Sequence, residues 1–395
     1  MSGAPEPIAP VELRHCLAPA KLNLFLHVLA QREDGYHELE TVFELVDLYD
    51  TLSFSIRSDG AIMRRGGVHG LAHDNDLSVR AARLLAAASE TRHGVDIAID
   101  KRIPMGGGLG GGSSNAATTL LALNRLWQVN WPVARLARLS AQLGADVPVF
   151  VQGTAAFAEG IGEKLTPLTL DSQSYVIVAP PVTVPTAEIF SAPELTRDSK
   201  PLKILPLSRL NVSLIESIGR NDLQAVAFDR YPAVEAALTA LTDCAAEILK
   251  EADRVAKAEA RARAKVAKAE QKLAEQKLAE TKAADEAAAK DGKQGSKGSQ
   301  SKTSQEKSAA AGRESGQASD ENSEVEEPAP GARWSSARMS GSGGCVFLPV
   351  PSHELAEQIA QSVNKLGVGD AVAVRSLKMH PMRSWAFGRG LPRKS

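Results

Sequence analysis

Cysteine is scarce in this chain: Cys16, Cys244 and Cys345 are the only three among 395 residues. They are far apart and odd in number. They form neither a disulfide framework nor a zinc pattern, which suits a reducing compartment. Cys345 stands beside glycines, where a small buried apolar role is commoner than a nucleophilic one. No apolar run approaches the length of a membrane-crossing helix. The first ten residues, MSGAPEPIAP, lack the basic start and apolar stretch of a signal peptide. These absences set the expectation of a cytoplasmic protein without a membrane partner. An excess of one charge is also missing: 46 Lys and Arg face 47 Asp and Glu, a net charge of -1. That balance gives no bulk case for nucleic acid or an anionic surface as partner. A hydrophobic share of 43% supplies a core, and 395 residues allow two domains with something extra.

What is abundant, locally, is glycine. The run Pro104–Leu120, PMGGGLGGGSSNAATTL, holds six glycines and two serines. Before it, Val95–Ile99 alternates apolar and polar residues as a half-buried strand does. After it, Ala116–Trp127 is Ala- and Leu-rich and long enough for a helix. The glycines therefore sit on a strand-to-helix connection that ends in the first turn of a helix. Without a Cβ, the backbone there can adopt positive φ and approach a ligand closely. First-turn N–H groups and the helix dipole add partial positive charge. Ser113 and Ser114 can cap the helix or bond a phosphate. This is an anion cradle without a charged side chain.

Absences speak against two familiar phosphate loops. No lysine follows the glycines, so the Walker A pattern fails. Gly106, Gly108 and Gly111 satisfy the dinucleotide spacing, but Lys101–Ala145 contains no Asp or Glu to hold a ribose.

Composition also marks the organisation. Alternating strands and helices run to about Gly160, and Tyr175–Ala179 is a buried strand ended by Pro180 and Pro181. A helix over Glu235–Lys250 follows. Glu251–Ala289 is then dominated by Ala, Lys, Glu, Gln and Arg, with Val255, Val266, Leu273 and Leu278 its only large apolar residues. Pairs such as Asp253/Lys257, Glu259/Arg263 and Glu286/Lys290 support an exposed helix. Residues 291–330 turn Lys/Ser/Gly-rich and then Glu-rich, a composition expected to be disordered. Folded sequence is expected to resume near Trp334.

The glycine segment resembles the phosphate-binding motif of the GHMP kinases, carried here by Pro104, Gly108, Leu109, Gly110, Ser113, Ser114, Ala116 and Ala117. The longer GLGGGSSNAA is similar to the branch acting on 4-diphosphocytidyl-2-C-methyl-D-erythritol. APAKLNLFLHV, DGYHELETVFELVDLYD, LGADVPVFVQG, VPTAEIF, RNDLQ and ARMSGSGGCVF agree with that branch in order. The resemblance covers about 13–250 and 337–380. It implies an α+β, two-domain kinase with its active site in the interdomain cleft. The expected domains are 1–170 and 171–395, the second interrupted by an insertion over 251–332 that the family lacks. A surface loop tolerates such an insertion.

The resemblance also implies roles. ATP is expected on Pro104, Met105, Gly106, Gly107, Gly108, Leu109, Gly110, Gly111, Gly112, Ser113 and Ser114, and Mg2+ is implied by ATP without nameable ligands. Asp146, after a small-residue turn and before a proline and an apolar strand, is the expected base; an Asp so placed also serves as a cap. Lys21 lies inside an otherwise apolar strand, where facing Asp146 would pair it; an edge lysine that blocks aggregation has the same pattern. Asn23 shares its face. Tyr36 and His37 are assigned to the cytidine, with Phe190 as stacking partner from the other domain and Thr186 close by. Ser340–Gly344, expected between a helical segment and a strand over Cys345–Leu348, either closes over phosphates or is a plain turn. A smaller alcohol substrate, or nucleotide binding without activity, are the rival readings. Tyr36, His37 and Phe190 oppose the first, Lys21 and Asp146 the second.

Overall fold

Strand β1 (Glu12–Gln31) and strand β2 (His37–Arg57) form a long antiparallel hairpin on which the larger sheet is built. Apolar and β-branched residues in both run buried along most of their length. The pairing slips at four places, among them Pro19/Ala20 and Asn23/Leu26, so Lys21 and Asn23 lie between two irregularities that bend the strand. The computed structural model describes residues 12–66, 72–202, 215, 219–291 and 337–387, without the side chains of 278–280 and 282–291. The expectations of disorder over 291–330 and of folded sequence from Trp334 lie outside the described residues, apart from Asp291.

Strands β3 (Ile62–Arg65), β4 (Gly94–Asp100), β5 (Ala156–Glu159) and β6 (Lys164–Pro167) complete the larger sheet in the order β3-β4-β2-β5-β6, with β1 paired to β2. Helices α1 (Leu77–Ser89), α2 (Gly111–Leu126), α3 (Val133–Ser140) and α4 (Val147–Gln152) belong with it. Helix α2 is buried on nearly every side, and its Ala and Thr residues leave room for close neighbours. Further along the helix polar groups are matched: Asn124 bonds the N–H and C=O of Trp131, and the Thr119 hydroxyl donates to the Asn115 carbonyl.

A second sheet, ordered β10-β7-β9-β8, follows in the chain. It contains β7 (Ser174–Ala179), β8 (Arg338–Met339), β9 (Val346–Val350) and β10 (Asp370–Arg375). Its helices are α5 (Thr186–Phe190), α6 (Gln224–Arg230), α7 (Pro232–Asp291), α8 (His353–Leu366) and α9 (Arg383–Phe387), the last packing back on the larger sheet's core through Trp385 and Ala386. The mixed α and β architecture is the one expected.

Two local expectations are corrected. Val147–Gln152 reads as a strand from its alternating valines, yet it forms α4. Pro148 sits in the first turn, where proline is tolerated, and Gly153 at φ +73° closes the end. The segment before Ser340 is not helical: Arg338–Met339 is strand β8, its Arg338 guanidinium held by the Leu24 and Gly219 carbonyls at 2.7 and 3.2 Å.

By compactness the described residues divide at Ile248/Leu249. Up to there, and again after Gly331, they form one unit carrying both sheets. From Leu249 a separate unit begins, described as helix to Asp291. No helix among the described residues is long and apolar enough to cross a membrane.

The sheets are joined by buried polar groups that titrate. Tyr175 on β7 donates its hydroxyl to Glu44 on β2, and burial, partly offset by that bond, raises the carboxyl to about 7. His380 is buried beside α2, with Nδ1 accepting from Met382 N–H at 3.1 Å and Nε2 3.2 Å from the Thr118 hydroxyl; burial lowers it to about 3. The signs are opposite. For His380 the unfolded chain, ordinary value 6.5, takes the proton first, so stability is lost as pH falls from 6.5 toward 3. For Glu44, ordinary value 4.5, stability is full below 4.5 and lost as pH rises through 7. Each slope is at most about 1.4 kcal/mol per pH unit, and the two oppose each other in between. Urea unfolding from pH 4 to 8 should show His380→Asn losing the acid-side slope and Glu44→Gln the neutral-side slope. Profiles parallel to that of the parent chain would contradict this account.

Candidate active site

Four contacts converge on Lys21. Its backbone N–H donates to the Leu109 carbonyl at 3.0 Å, tying β1 to the glycine loop. Its ammonium lies 3.4 Å from Asp146 Oδ2, donates to Asn23 Oδ1 and stands 5.2 Å above the Phe43 ring. The Lys21 side chain is 3% exposed and that of Asp146 35%, so a buried cation faces a carboxylate that reaches solvent. Asp146 occupies the position before α4, yet its side chain makes no capping bond. The capping alternative is thereby set aside; the carboxylate is turned to Lys21. Asn23 is oriented from its other end, where Nδ2 donates to Thr41 Oγ1 at 2.9 Å.

The glycine loop lies along this pair. Helix α2 begins at Gly111, and Gly110 at φ +70° is its cap without a side-chain bond. Ser113 and Ser114 thus lie inside the first turn and do not cap. Ser114 N–H makes the first intrahelical bond, to Gly110 at 2.8 Å, so the earlier N–H groups have no partner within the helix. The Ser114 hydroxyl is buried and lacks a hydrogen-bond partner. An orphaned hydroxyl beside partnerless helix N–H groups is a fitting lining for a phosphate. Pro104 is half-buried, and Met105 is 56% exposed at the loop's outer edge.

The route into the loop was not anticipated. Asp50, fully buried at β2, accepts from the N–H groups of Arg102 at 2.7 Å and Ile103 at 2.9 Å and from the Lys101 ammonium. Lys101 Nζ would lie 3.2 Å from a Cβ on Gly111, so the cradle does have a cation at its flank.

Ser340–Gly344 packs directly on the glycine loop. Ser340 Oγ donates to the Gly108 carbonyl at 3.3 Å, Cys345 N–H to Gly107 at 3.1 Å, and Asn23 N–H to Ser340 Oγ at 3.2 Å. A Cβ on Gly108 would lie 2.0 Å from the Ser340 carbonyl oxygen, and one on Gly107 2.4 Å from Cys345 Sγ. Cys345 is a buried packing group, its thiol pushed up to about 12 by burial. Asn221 of the RNDLQ segment holds this second loop, donating to Met339 and Gly341 carbonyls at 2.8 and 2.7 Å. Its neighbour Asp222 accepts from Val28 N–H at 2.8 Å.

The remaining residues form a second cluster. The His37 and Phe190 rings are 5.2 Å apart and inclined by 36°. Arg197, which sequence reasoning missed, donates from Nε to His37 Nε2 at 3.0 Å and from its other nitrogens to the Leu195, Phe190 and Ala192 carbonyls. Burial and then the Arg197 charge lower the His37 pKa, so the ring is neutral with its proton on Nδ1. Tyr36 is 61% exposed beside it, after the Gly35 turn at φ +84°. The Thr186 hydroxyl is 2.6 Å from that of Ser342, which links α5 to the second glycine loop. No group of three or more His, Cys, Asp or Glu that could hold a metal occurs among the described residues.

The family descriptions GHMP kinases N terminal domain and GHMP kinases C terminal match residues 76–154 and 332–369. A 4-diphosphocytidyl-2-C-methyl-D-erythritol kinase of Ralstonia pickettii (strain 12J) is 57% identical over 230 residues, 58% of this chain and 79% of that relative. One of Aromatoleum aromaticum is 56% identical over 226 residues, 57% of this chain and 77% of the relative. The chain belongs to the 4-diphosphocytidyl-2-C-methyl-D-erythritol kinase family. A crystal structure of a 4-(cytidine 5'-diphospho)-2C-methyl-D-erythritol kinase is similar at TM-score 0.58 and 26% identity, covering 92% of this chain and 98% of that one. The family fold therefore frames the two clusters just described.

The two glycine loops predict a sharp contrast. Gly108→Ala adds a Cβ against backbone oxygens at φ +74°, and should destabilise the protein by about 2 kcal/mol or more. Gly112→Ala meets only Leu77 Cδ1 at 3.5 Å, in a helical turn that favours alanine by about 1 kcal/mol. Thermal denaturation should rank Gly108→Ala well below Gly112→Ala. Equal melting temperatures would refute the close packing of the loops.

Proposed function

We infer that this kinase uses ATP to phosphorylate the C2 hydroxyl of 4-diphosphocytidyl-2-C-methyl-D-erythritol, in non-mevalonate isoprenoid precursor synthesis. The observation that carries the chemistry is the Lys21–Asp146 pair, 3.4 Å apart at the edge of the glycine loop. Asp146 accepts the proton of the substrate hydroxyl, and Lys21 stabilises the oxygen as it becomes a nucleophile. The first-turn N–H groups of α2, with Ser113 and Ser114, hold phosphate oxygens and stabilise the charge that develops on transfer. Asn23, held by Thr41, positions the acceptor. Mg2+ would accompany ATP, bound mostly by phosphate and water, with the partnerless Ser114 hydroxyl as the protein oxygen available to it.

The His37 cluster takes the nucleobase. Arg197 fixes Nε2 as an acceptor, leaving Nδ1–H to donate to a base edge. Phe190 and Tyr36 provide aromatic faces. A smaller alcohol would leave this cluster unused, which disfavours that rival. We place the boundary between domains near residue 170 and the insertion at 251–332. The three unbridged cysteines suit a cytoplasmic location.

ADP release with the cytidyl substrate should far exceed that with mevalonate or homoserine; comparable rates would overturn the substrate assignment. Asp146→Asn should lower turnover by roughly two orders of magnitude or more, with ATP binding retained. Near-normal turnover would remove Asp146 as the base. Ser114→Ala separates a ligand role from a structural one. The hydroxyl has no bond to lose, so the melting temperature should hold or rise. The KM for ATP should rise roughly tenfold, the size of a hydrogen bond to a charged group. A fall in melting temperature with an unchanged KM would reverse that reading.

A further inference from the structure

The exposed part of α7 carries a row of cations. Arg254, Lys257, Arg261, Lys265, Lys268 and Lys272 follow one another at steps of three or four residues. At about 100° per residue they fall within about 80° of one another around the helix and extend along about 27 Å of it. All six are exposed. Two have local partners: Arg254 with Glu251 at 3.1 Å and Lys257 with Asp253 at 2.6 Å. The other four have no ion pair among the described residues. The carboxylates of the same stretch, Glu259 and Glu270, lie with Arg263 on the opposite side, about 180° away. From 254 to 272 seven cations face two anions, a net charge of +5, which the whole-chain value of -1 conceals.

We propose that Arg254–Lys272 is a docking surface for nucleic acid, gripping the phosphodiester backbone without reading sequence. Successive cations are spaced by about 4.5 or 6 Å along the axis, and a duplex offers one negative charge per about 1.7 Å, dense enough for the four unpaired cations to reach phosphates. The neighbouring face is too poor for a membrane: Val255, Val266 and Leu273 are its only large apolar residues, with no aromatic to enter a headgroup layer. A second copy would meet like charges along the row. The expectation from net charge, that nucleic acid has no place here, rests on the whole-chain balance, from which this proposal departs on one face.

The full-length chain and a fluorescein-labelled 24-base-pair duplex of mixed sequence, titrated by fluorescence anisotropy at several salt concentrations, test this. Log affinity should fall against log salt with a slope of about -4, close to 0.9 for each unpaired cation. The variant Arg261→Gln, Lys265→Gln, Lys268→Gln, Lys272→Gln keeps helix propensity and should bind at least tenfold more weakly with an almost flat slope, its kinase turnover unchanged. A second variant exchanges Ala260 with Arg261 and Lys268 with Ala269. It keeps the net charge but scatters the row, and should bind several-fold more weakly. Equal affinity for parent and neutralised chains would overturn the proposal. So would phosphatidylglycerol vesicles capturing a chain that ignores the duplex. Affinity insensitive to scattering would remove the row in favour of charge alone.

Discussion

The site rests on backbone packed against backbone. Residues 106–110 and 340–344 approach so closely that a Cβ on Gly108 would meet the Ser340 and Gly343 oxygens at 2.0 and 2.7 Å. Only glycine permits this, and several of these glycines also need positive φ. The contact joins a loop of the larger sheet to a hairpin turn of the smaller one. Asp50 fixes the first loop from behind, and Asn221 fixes the second. Glycine, usually a source of freedom, is here held by a carboxylate on the backbone that leads into the first loop and by an amide on the Met339 and Gly341 carbonyls of the second.

The same approach explains how a lysine can be buried. Desolvating an ammonium is expensive unless it is paired and hydrogen-bonded. Lys21 meets Asp146, Asn23 and the Phe43 face, and a Cβ on Gly341 would lie 3.3 Å from its Nζ. The second glycine loop thus forms a wall around the cation. Asp146, 35% exposed, leaves the pair open to solvent on one side. A fully buried pair would be sealed off; here one partner remains accessible.

Much of this was legible in the sequence because it depends on local chemistry. The glycine run identified a loop that leads from a strand into a helix start, and a lysine inside an apolar strand identified a residue needing a partner. The mixed fold followed from the family pattern. What escaped depends on distant contacts. Asp50 lies 52 residues before Arg102 in the chain, and Arg197 lies 160 beyond His37, so no spacing signals either bond. Val147–Gln152 misled because its valines suggest a strand, whereas Pro148 and Gly153 define a short helix. Arg338 could not announce a strand, because its partners are carbonyls at Leu24 and Gly219.

Polar groups left unmatched are informative for the same reason that matched ones are not. In α2, Asn124 and Thr119 find backbone partners, and their role ends with the fold. Ser114, in the same helix and equally buried, finds none. An unsatisfied buried hydroxyl is unfavourable by roughly 1–3 kcal/mol, a burden that selection for stability alone would remove by alanine, as at Ala116 and Ala117 two and three positions on. Ser114 sits where the first-turn N–H groups also lack helical partners. Both of these deficits lie at the same end of α2, the end that follows the glycine loop. A missing ligand with several acceptor oxygens would satisfy both kinds of donor at once, and a triphosphate has that chemistry.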